Sequence, residues 1–202
     1  MLQFQTIEPG TLQLLKSLQS MSLFQGLRLV GGTALALQLG HRKSIDLDLF
    51  GTMEADQLEI REALEDSHRV SVVKESKNIH IYLVDGVKVD FVNYRYPWID
   101  EPIIDSDITL ASVKDIAAMK IAAVIGRGTK KDFIDIDMLL RSFSLQELLE
   151  LYMQKYLDGS LFIAMKSLAY FEDAESDPMP VMFEETNWED VKTRIREAVI
   201  QL

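Results

Sequence analysis

Residues 45–50, Ile-Asp-Leu-Asp-Leu-Phe, alternate apolar and acidic side chains, and this alternation constrains the fold more tightly than any other stretch of the chain. Successive side chains of a β-strand point to opposite faces, so Ile45, Leu47 and Leu49 share one face and Asp46 and Asp48 share the other. The first face calls for a packed core. The second presents two carboxylates side by side, where solvent or a cation must receive them.

The flanking segments read as punctuated elements. Thr11 to Met21 carries Leu12, Leu15 and Leu18 at helical spacing, which predicts an amphipathic first helix. Leu27 to Val30 is a short apolar strand running into Gly31-Gly32-Thr33; Ala34 to Leu39 then favours helix, and Gly40 suits a left-handed stop. Glu54 to Asp66 predicts a helix with Thr52 as its cap, and Val70 to Val73 another strand. Ile79–Val84 and Val87–Val92 flank Asp85-Gly86, a strong hairpin signal, and within the second arm Val87, Val89 and Phe91 share a face, so Lys88 and Asp90 point the other way. Tyr96 through Asp107, with Pro97 and Pro102, reads as a loop. Beyond it the pattern is helical, with cap-like starts at Ser112, Thr129, Ser144 and Asn187, each followed by an acid three residues on, and a break at Asp177-Pro178-Met179-Pro180. The predicted fold is α+β: a small mixed sheet flanked by helices in residues 1–110, then a helical region in which 111–141 complete the site and 142–202 form an acidic tail.

Composition sets limits on partners and compartment. At 202 residues and 48% apolar content the chain can bury a core; it has no cysteine for disulfides or thiolate metal sites, and no apolar run of membrane-spanning length. A cytoplasmic protein without a membrane partner is expected. The net charge of −11 opposes nucleic-acid binding at first sight. Residues 142–202 hold 12 acids and 5 bases, net −7, which leaves net −4 for residues 1–141. A modest basic track of Arg42, Lys43, Lys74, Lys77, Arg127, Lys130 and Lys131 is expected on that first part.

A Gly-rich turn at a helix N-terminus offers free N–H groups and a positive dipole end to phosphates, and closely set carboxylates hold the divalent ions that phosphates carry. The order Gly31-Gly32-Thr33, Asp46/Asp48, Asp90, Lys120 and Lys131-Asp132 therefore reads as a metal-dependent nucleotidyltransferase. In-line displacement at the α-phosphorus of a nucleoside triphosphate builds charge on nearby oxygens, for which two Mg²⁺ ions about 4 Å apart, or Mn²⁺ in their place, are the usual solution. Asp46 and Asp48 fit a bridging pair, and Asp90 fits the third ligand and general base. Ser44 is placed to bond a phosphate, and Lys120 to reach the triphosphate. The three histidines lack metal-ligand spacing and receive no role.

These residues resemble the AbiEii/AbiGii toxin-type nucleotidyltransferases, a branch of the DNA polymerase β-like superfamily. The likeness rests on Gly31 to Leu37, Arg42 to Phe50, Val89-Asp90-Phe91, Lys120 to Ala123 and Lys130 to Ile136, covering roughly residues 25–141. It implies phosphate binding at Gly31, Gly32 and Thr33, metal binding at Asp46 and Asp48, a nucleotide-contacting Lys120, and a further site acid at Asp132 or Asp135. It further implies a toxin paired with an antitoxin, some members of the family adding nucleotides to the acceptor end of tRNA. The same chemistry directed at a small molecule such as an aminoglycoside is the second reading, and a non-catalytic interaction protein on the same fold the third.

Overall fold

The computed structural model describes residues 1–202 and forms a seven-stranded mixed sheet with eight α-helices. The strands are β1 (Leu27–Val30), β2 (Leu47–Gly51), β3 (Val70–Glu75), β4 (Ile79–Val84), β5 (Val87–Asn93), β6 (Ile103–Asp105) and β7 (Ile108–Leu110), in the spatial order β3-β4-β5-β2-β1-β7-β6. Pairings β2·β5 and β1·β7 are parallel, and the other four are antiparallel. The helices are α1 (Pro9–Ser20), α2 (Gly31–Leu39), α3 (Gln57–Glu65), α4 (Val113–Gly126), α5 (Lys130–Leu139), α6 (Leu145–Lys155), α7 (Leu161–Leu168) and α8 (Trp188–Ile200).

One face of the sheet is apolar, as the alternation requires. Leu47 and Leu49 of β2, Val89 and Phe91 of β5, and Tyr82 and Val84 of β4 are buried together with Leu15 and Leu18 of α1 and Ile60 and Leu64 of α3. Phe24 stacks on Phe91 at 4.5 Å between ring centres. Asp48, Phe50, Lys88 and Asp90 occupy the opposite face. A single buried cluster runs from Leu2 to Ile195, so the sheet and the helices after Leu110 share one core.

Four local expectations change. Strand β2 starts at Leu47, leaving Ile45 exposed and Asp46 ahead of the ladder, because the Asp46 carbonyl accepts the Thr33 hydroxyl instead of pairing across the sheet. Helix α3 is capped by Asp56, whose carboxylate takes the N–H groups of Leu58 and Glu59 while Glu59 returns to the Asp56 N–H; Thr52 plays no part. The segment read as a loop contains the β6–β7 hairpin, turned by Ser106 and Asp107 with φ of 55° and 64°. That left-handed pair does the work of an Asn-Gly turn without its sequence signature. Thr129 precedes α5 but accepts no backbone N–H; its hydroxyl donates to the Asp132 carboxylate at 2.6 Å. Ser112, Ser144 and Asn187 cap their helices as read from the sequence.

Near the C-terminus the chain returns to the site. Lys43 N–H donates to the Val181 carbonyl and Phe183 N–H to the His41 carbonyl, with Arg42 bridging Met182. Residues 41–43 are thereby fixed by the tail as well as by α2.

Candidate active site

The turn from β1 into α2 is built around two close approaches. Gly31 sits at φ 69°, and a Cβ there would fall on the Asp48 carboxylate; a Cβ on Gly32 would fall on the Arg42 guanidinium. Both positions therefore require glycine, the first for conformation and for space. The helix N-cap is Val30, whose side chain supplies no hydrogen bond to the first turn. The leading N–H groups of α2 are left open to an anion.

The acids of the open face lie on neighbouring strands. Asp48 and Asp90 are register partners in the parallel β2·β5 pair, on strands about 4.8 Å apart. Burial, and then the Asp90 charge, push the Asp48 carboxyl above its ordinary range, against the opposing charges of Lys88 and Lys120. Lys88 reaches Asp90 Oδ1 at 2.6 Å, and Lys131 stands 3.8 Å from Asp46. No three carboxylate or imidazole groups converge tightly enough to form a complete metal cage. An octahedral Mg²⁺ binds through one or two carboxylates plus water and substrate phosphates rather than a full protein cage. The Asp48/Asp90 pair, whose mutual repulsion a cation would relieve, fits that donor set.

Behind this face lies a second set of charges, buried apart from Arg127. Asp132 and Asp135 are one helical turn apart on α5 and face Lys120 of α4, whose Nζ lies 3.0 Å from Asp132 and 2.7 Å from Asp135. Asp135 also accepts Arg42 through Nε (2.7 Å) and Nη2 (2.8 Å) and lies 2.8 Å from His41 Nε2. Asp132 accepts Arg127 through Nε (2.8 Å) and Nη2 (3.0 Å). Burial alone would raise the pKa of both acids; the charges of Lys120 and Arg42 at Asp135, and Arg127 with Lys120 at Asp132, hold them below the ordinary carboxylate range. Lys120 is the mirror case, burial opposing its charge and the two acids raising its pKa.

A cleft of about 350 Å³ opens between the sheet and α4. Gly31, Asp48, Lys120 and Arg127 line one part of it, and Phe50, Tyr94 and Tyr156 another. Of the sequence-predicted residues, Gly31, Asp48 and Lys120 meet on this cleft. Asp90 lies one strand over from Asp48. Thr33 is buried, its hydroxyl shared between Ser44 Oγ at 2.8 Å and the Asp46 carbonyl, so it clamps the chain entering β2. Asp132 and Asp135 do not line the cleft; both hold Lys120 of its wall, and Asp132 holds Arg127 as well.

The basic track is thinner than expected: Arg42 is consumed by Asp135, and Lys130 by the carbonyls of Glu175 and Asp177, both being buried. Sequence reasoning gave His41 no role, where the structure sets it against Asp135, and missed the aromatic wall altogether. It gave Arg42 and Arg127 only a place on the general basic track. The clue available for Arg42 was its position two residues before Ser44 in the acid-strand motif; for Tyr94 and Tyr156 no local signal exists.

A family model described as nucleotidyl transferase AbiEii toxin of a type IV toxin-antitoxin system matches residues 13–201. An uncharacterized protein of Aquifex aeolicus (strain VF5) is 39% identical over 184 residues, 88% of either chain. Among solved structures, JHP933 from Helicobacter pylori superposes with a TM-score of 0.59 at 16% identity, covering 96% of this chain and 92% of its own. MenT4, a nucleotidyltransferase toxin from Mycobacterium tuberculosis H37Rv, gives 0.57 at 17% identity, covering 95% and 81%. At these identities the two structures establish likeness of fold alone.

Proposed function

The chain belongs to the AbiEii family of nucleotidyl transferase toxins of type IV toxin-antitoxin systems, and from that premise we propose that it moves a nucleoside monophosphate from a nucleoside triphosphate to an acceptor hydroxyl on RNA, tRNA above all. The observation that carries the proposal is the register pairing of Asp48, beside Gly31 on the cleft wall, with Asp90 of the next strand. Two acids forced together next to open helix N–H groups form a receptor for a phosphate and its counter-cation.

In this reaction the acceptor oxygen bonds to the α-phosphorus, the bond from that phosphorus to the bridging β-oxygen breaks, and pyrophosphate leaves with the electron pair. Asp46, Asp48 and Asp90 would hold Mg²⁺, two ions or Mn²⁺ in their place, which supplies Lewis-acid stabilisation of the phosphoryl oxygens. The protein's own groups do the rest. Lys88 engages Asp90 Oδ1, leaving Oδ2 to take the acceptor's proton. The first N–H groups of α2, at Gly31, Gly32 and Thr33, meet the phosphates, and the Ser44 hydroxyl stands next to Gly32, 2.8 Å from Thr33 Oγ1. Arg127, more than half exposed and oriented by its forked bond to Asp132, faces the charge that accumulates on the leaving pyrophosphate. Lys120 lines the cleft but is held by two acids, so it fixes the wall and its potential. Lys131 stands 3.8 Å from Asp46.

The test is transfer of α-³²P label from each of the four nucleoside triphosphates, with Mg²⁺, to total RNA, to aminoglycosides and to the protein itself, with Asp46→Asn as the blank. Label on RNA that vanishes in the blank is the expected result, and co-expression with a cognate antitoxin should relieve toxicity. Label on cationic sugars alone would transfer the proposal to a small-molecule acceptor, which the net charge of −11 would suit. Absence of label and of nucleotide binding would leave only a binding role.

A further inference from the structure

The cleft has two chemically different ends, and the nucleotidyl transfer proposed above uses only one. Asp48, Gly31 and Arg127 account for the phosphates. Phe50 follows Asp48 by two residues on the same face of β2, and Tyr94 follows the end of β5, so the aromatic wall continues directly from the acids along the strands. Phe50 and Tyr94 lie 5.4 Å apart between ring centres. Tyr156, at the end of α6, closes this end, and its hydroxyl lies 2.8 Å from that of Tyr94. Across from the rings, α4 contributes Met119, Ala122 and Ala123. Two alanines facing aromatic rings leave a slot open at a place where larger residues would fill it.

We propose that this end is the nucleobase subsite, with the ring faces of Phe50 and Tyr94 packing the base against the α4 alanines and the paired hydroxyls of Tyr94 and Tyr156 setting base preference. Base faces stack on aromatic rings irrespective of identity, and such stacking is worth one to two orders of magnitude in affinity. Identity is read at the edge. In a bonded hydroxyl pair one oxygen donates to the other, so the acceptor hydroxyl keeps a proton to offer and the donor keeps lone pairs. A donor and an acceptor side by side can match the polar edge of a base, and an edge of the wrong pattern leaves one of them buried and unpaired.

The inference rests on the transferase reading, and the experiment separates the two. Equilibrium binding in Mg²⁺ is measured for the four nucleoside triphosphates and for inorganic tripolyphosphate, which fills the charged end alone. Wild type should bind tripolyphosphate, bind nucleotides more tightly, and rank the four bases. Tyr156→Phe and Tyr94→Phe keep both rings, and should narrow the ranking while tripolyphosphate binding stays at the wild-type value. Ala123→Leu fills the slot and should weaken every nucleotide about tenfold or more, again sparing tripolyphosphate. Nucleotide affinities and ranking unchanged in all three variants would overturn the subsite while leaving the transferase reading intact. Wild type binding neither tripolyphosphate nor any nucleotide would remove the transferase reading and this inference with it.

Discussion

The acids of the open sheet face and the acids of α5 are the same residue type in similar numbers, yet the fold treats them oppositely. Asp132 and Asp135 are fully buried, and each is held ionised by neighbouring cations: Lys120 and Arg127 for one, Lys120 and Arg42 for the other, which also has His41 Nε2 at hydrogen-bond distance. Asp48 and Asp90 are paired with each other across neighbouring strands, and the charge opposing them comes from Lys88 and, further away, Lys120. The first set is electrostatically complete. The second is short of positive charge, and that deficit is what a metal-bearing substrate can make good. A carboxylate pair short of positive charge and a buried, fully paired network are thus built from one kind of side chain, distinguished by what surrounds it.

The largest expected effect breaks the complete set. Asp135→Asn leaves Lys120 and Arg42 without their shared anion in a dry interior, and should cost about 3–5 kcal/mol in urea unfolding. Asp48→Asn should leave stability at or above wild type while abolishing nucleotide transfer. If the two variants unfold at the same denaturant concentration, the contrast between the sets does not hold.

Gly31→Ala tests the contact between the turn and the open acids. A side chain at φ 69° costs about 1–3 kcal/mol, and here its Cβ also meets the Asp48 carboxylate. Adding Asp48→Ala should recover the steric part and leave the conformational part, so the double variant should melt above Gly31→Ala. Full additivity of the two single changes would show that the contact carries no energy.

Acid titration of stability should show the two sets with opposite signs. Asp132 and Asp135 are held below their ordinary range in the folded state. Their contribution is complete above the unfolded carboxylate value of about 4 and is lost as pH falls through the lower folded values. Asp48 is raised, so its cost appears as pH climbs past about 4 and is full above its folded value. The advantage of Asp48→Asn over wild type should therefore grow from pH 4 toward neutrality; an advantage that is flat with pH would assign it to something other than charge.

The smallest stability effect is expected at Asp46→Asn. Its partner Lys131 is 3.8 Å away and both are substantially solvated, so unfolding should change by less than about 0.5 kcal/mol while transfer is lost. Retained transfer would remove Asp46 from the site.

Much of this molecule could be read from local sequence. The β4–β5 hairpin at Asp85-Gly86, the Gly40 stop after α2 and the Ser144 capping box are decided by residues within a few positions of each other, and the structure places all three as read. The β6–β7 hairpin escaped because Ser106-Asp107 turns without a glycine, and the Asp56 cap because a second capping residue lay nearby. The position of Asp132 and Asp135 was visible only as a spacing; that they serve as anchors for Arg127, Lys120 and Arg42 depends on α4, α5 and residues 41–43 meeting in space.

By itself, then, the sequence determined the strand with an acid face, the glycine turn into a helix and the helical second half, because periodicity, capping and turn chemistry act over a few residues. Only the tertiary structure decided which acids are neutralised and which are left short of charge, that the tail from Val181 to Phe183 holds residues 41–43, and that Phe50, Tyr94 and Tyr156 form one wall. Those outcomes depend on burial and on the sign of neighbours brought from distant parts of the chain, and neither quantity exists until the chain has folded.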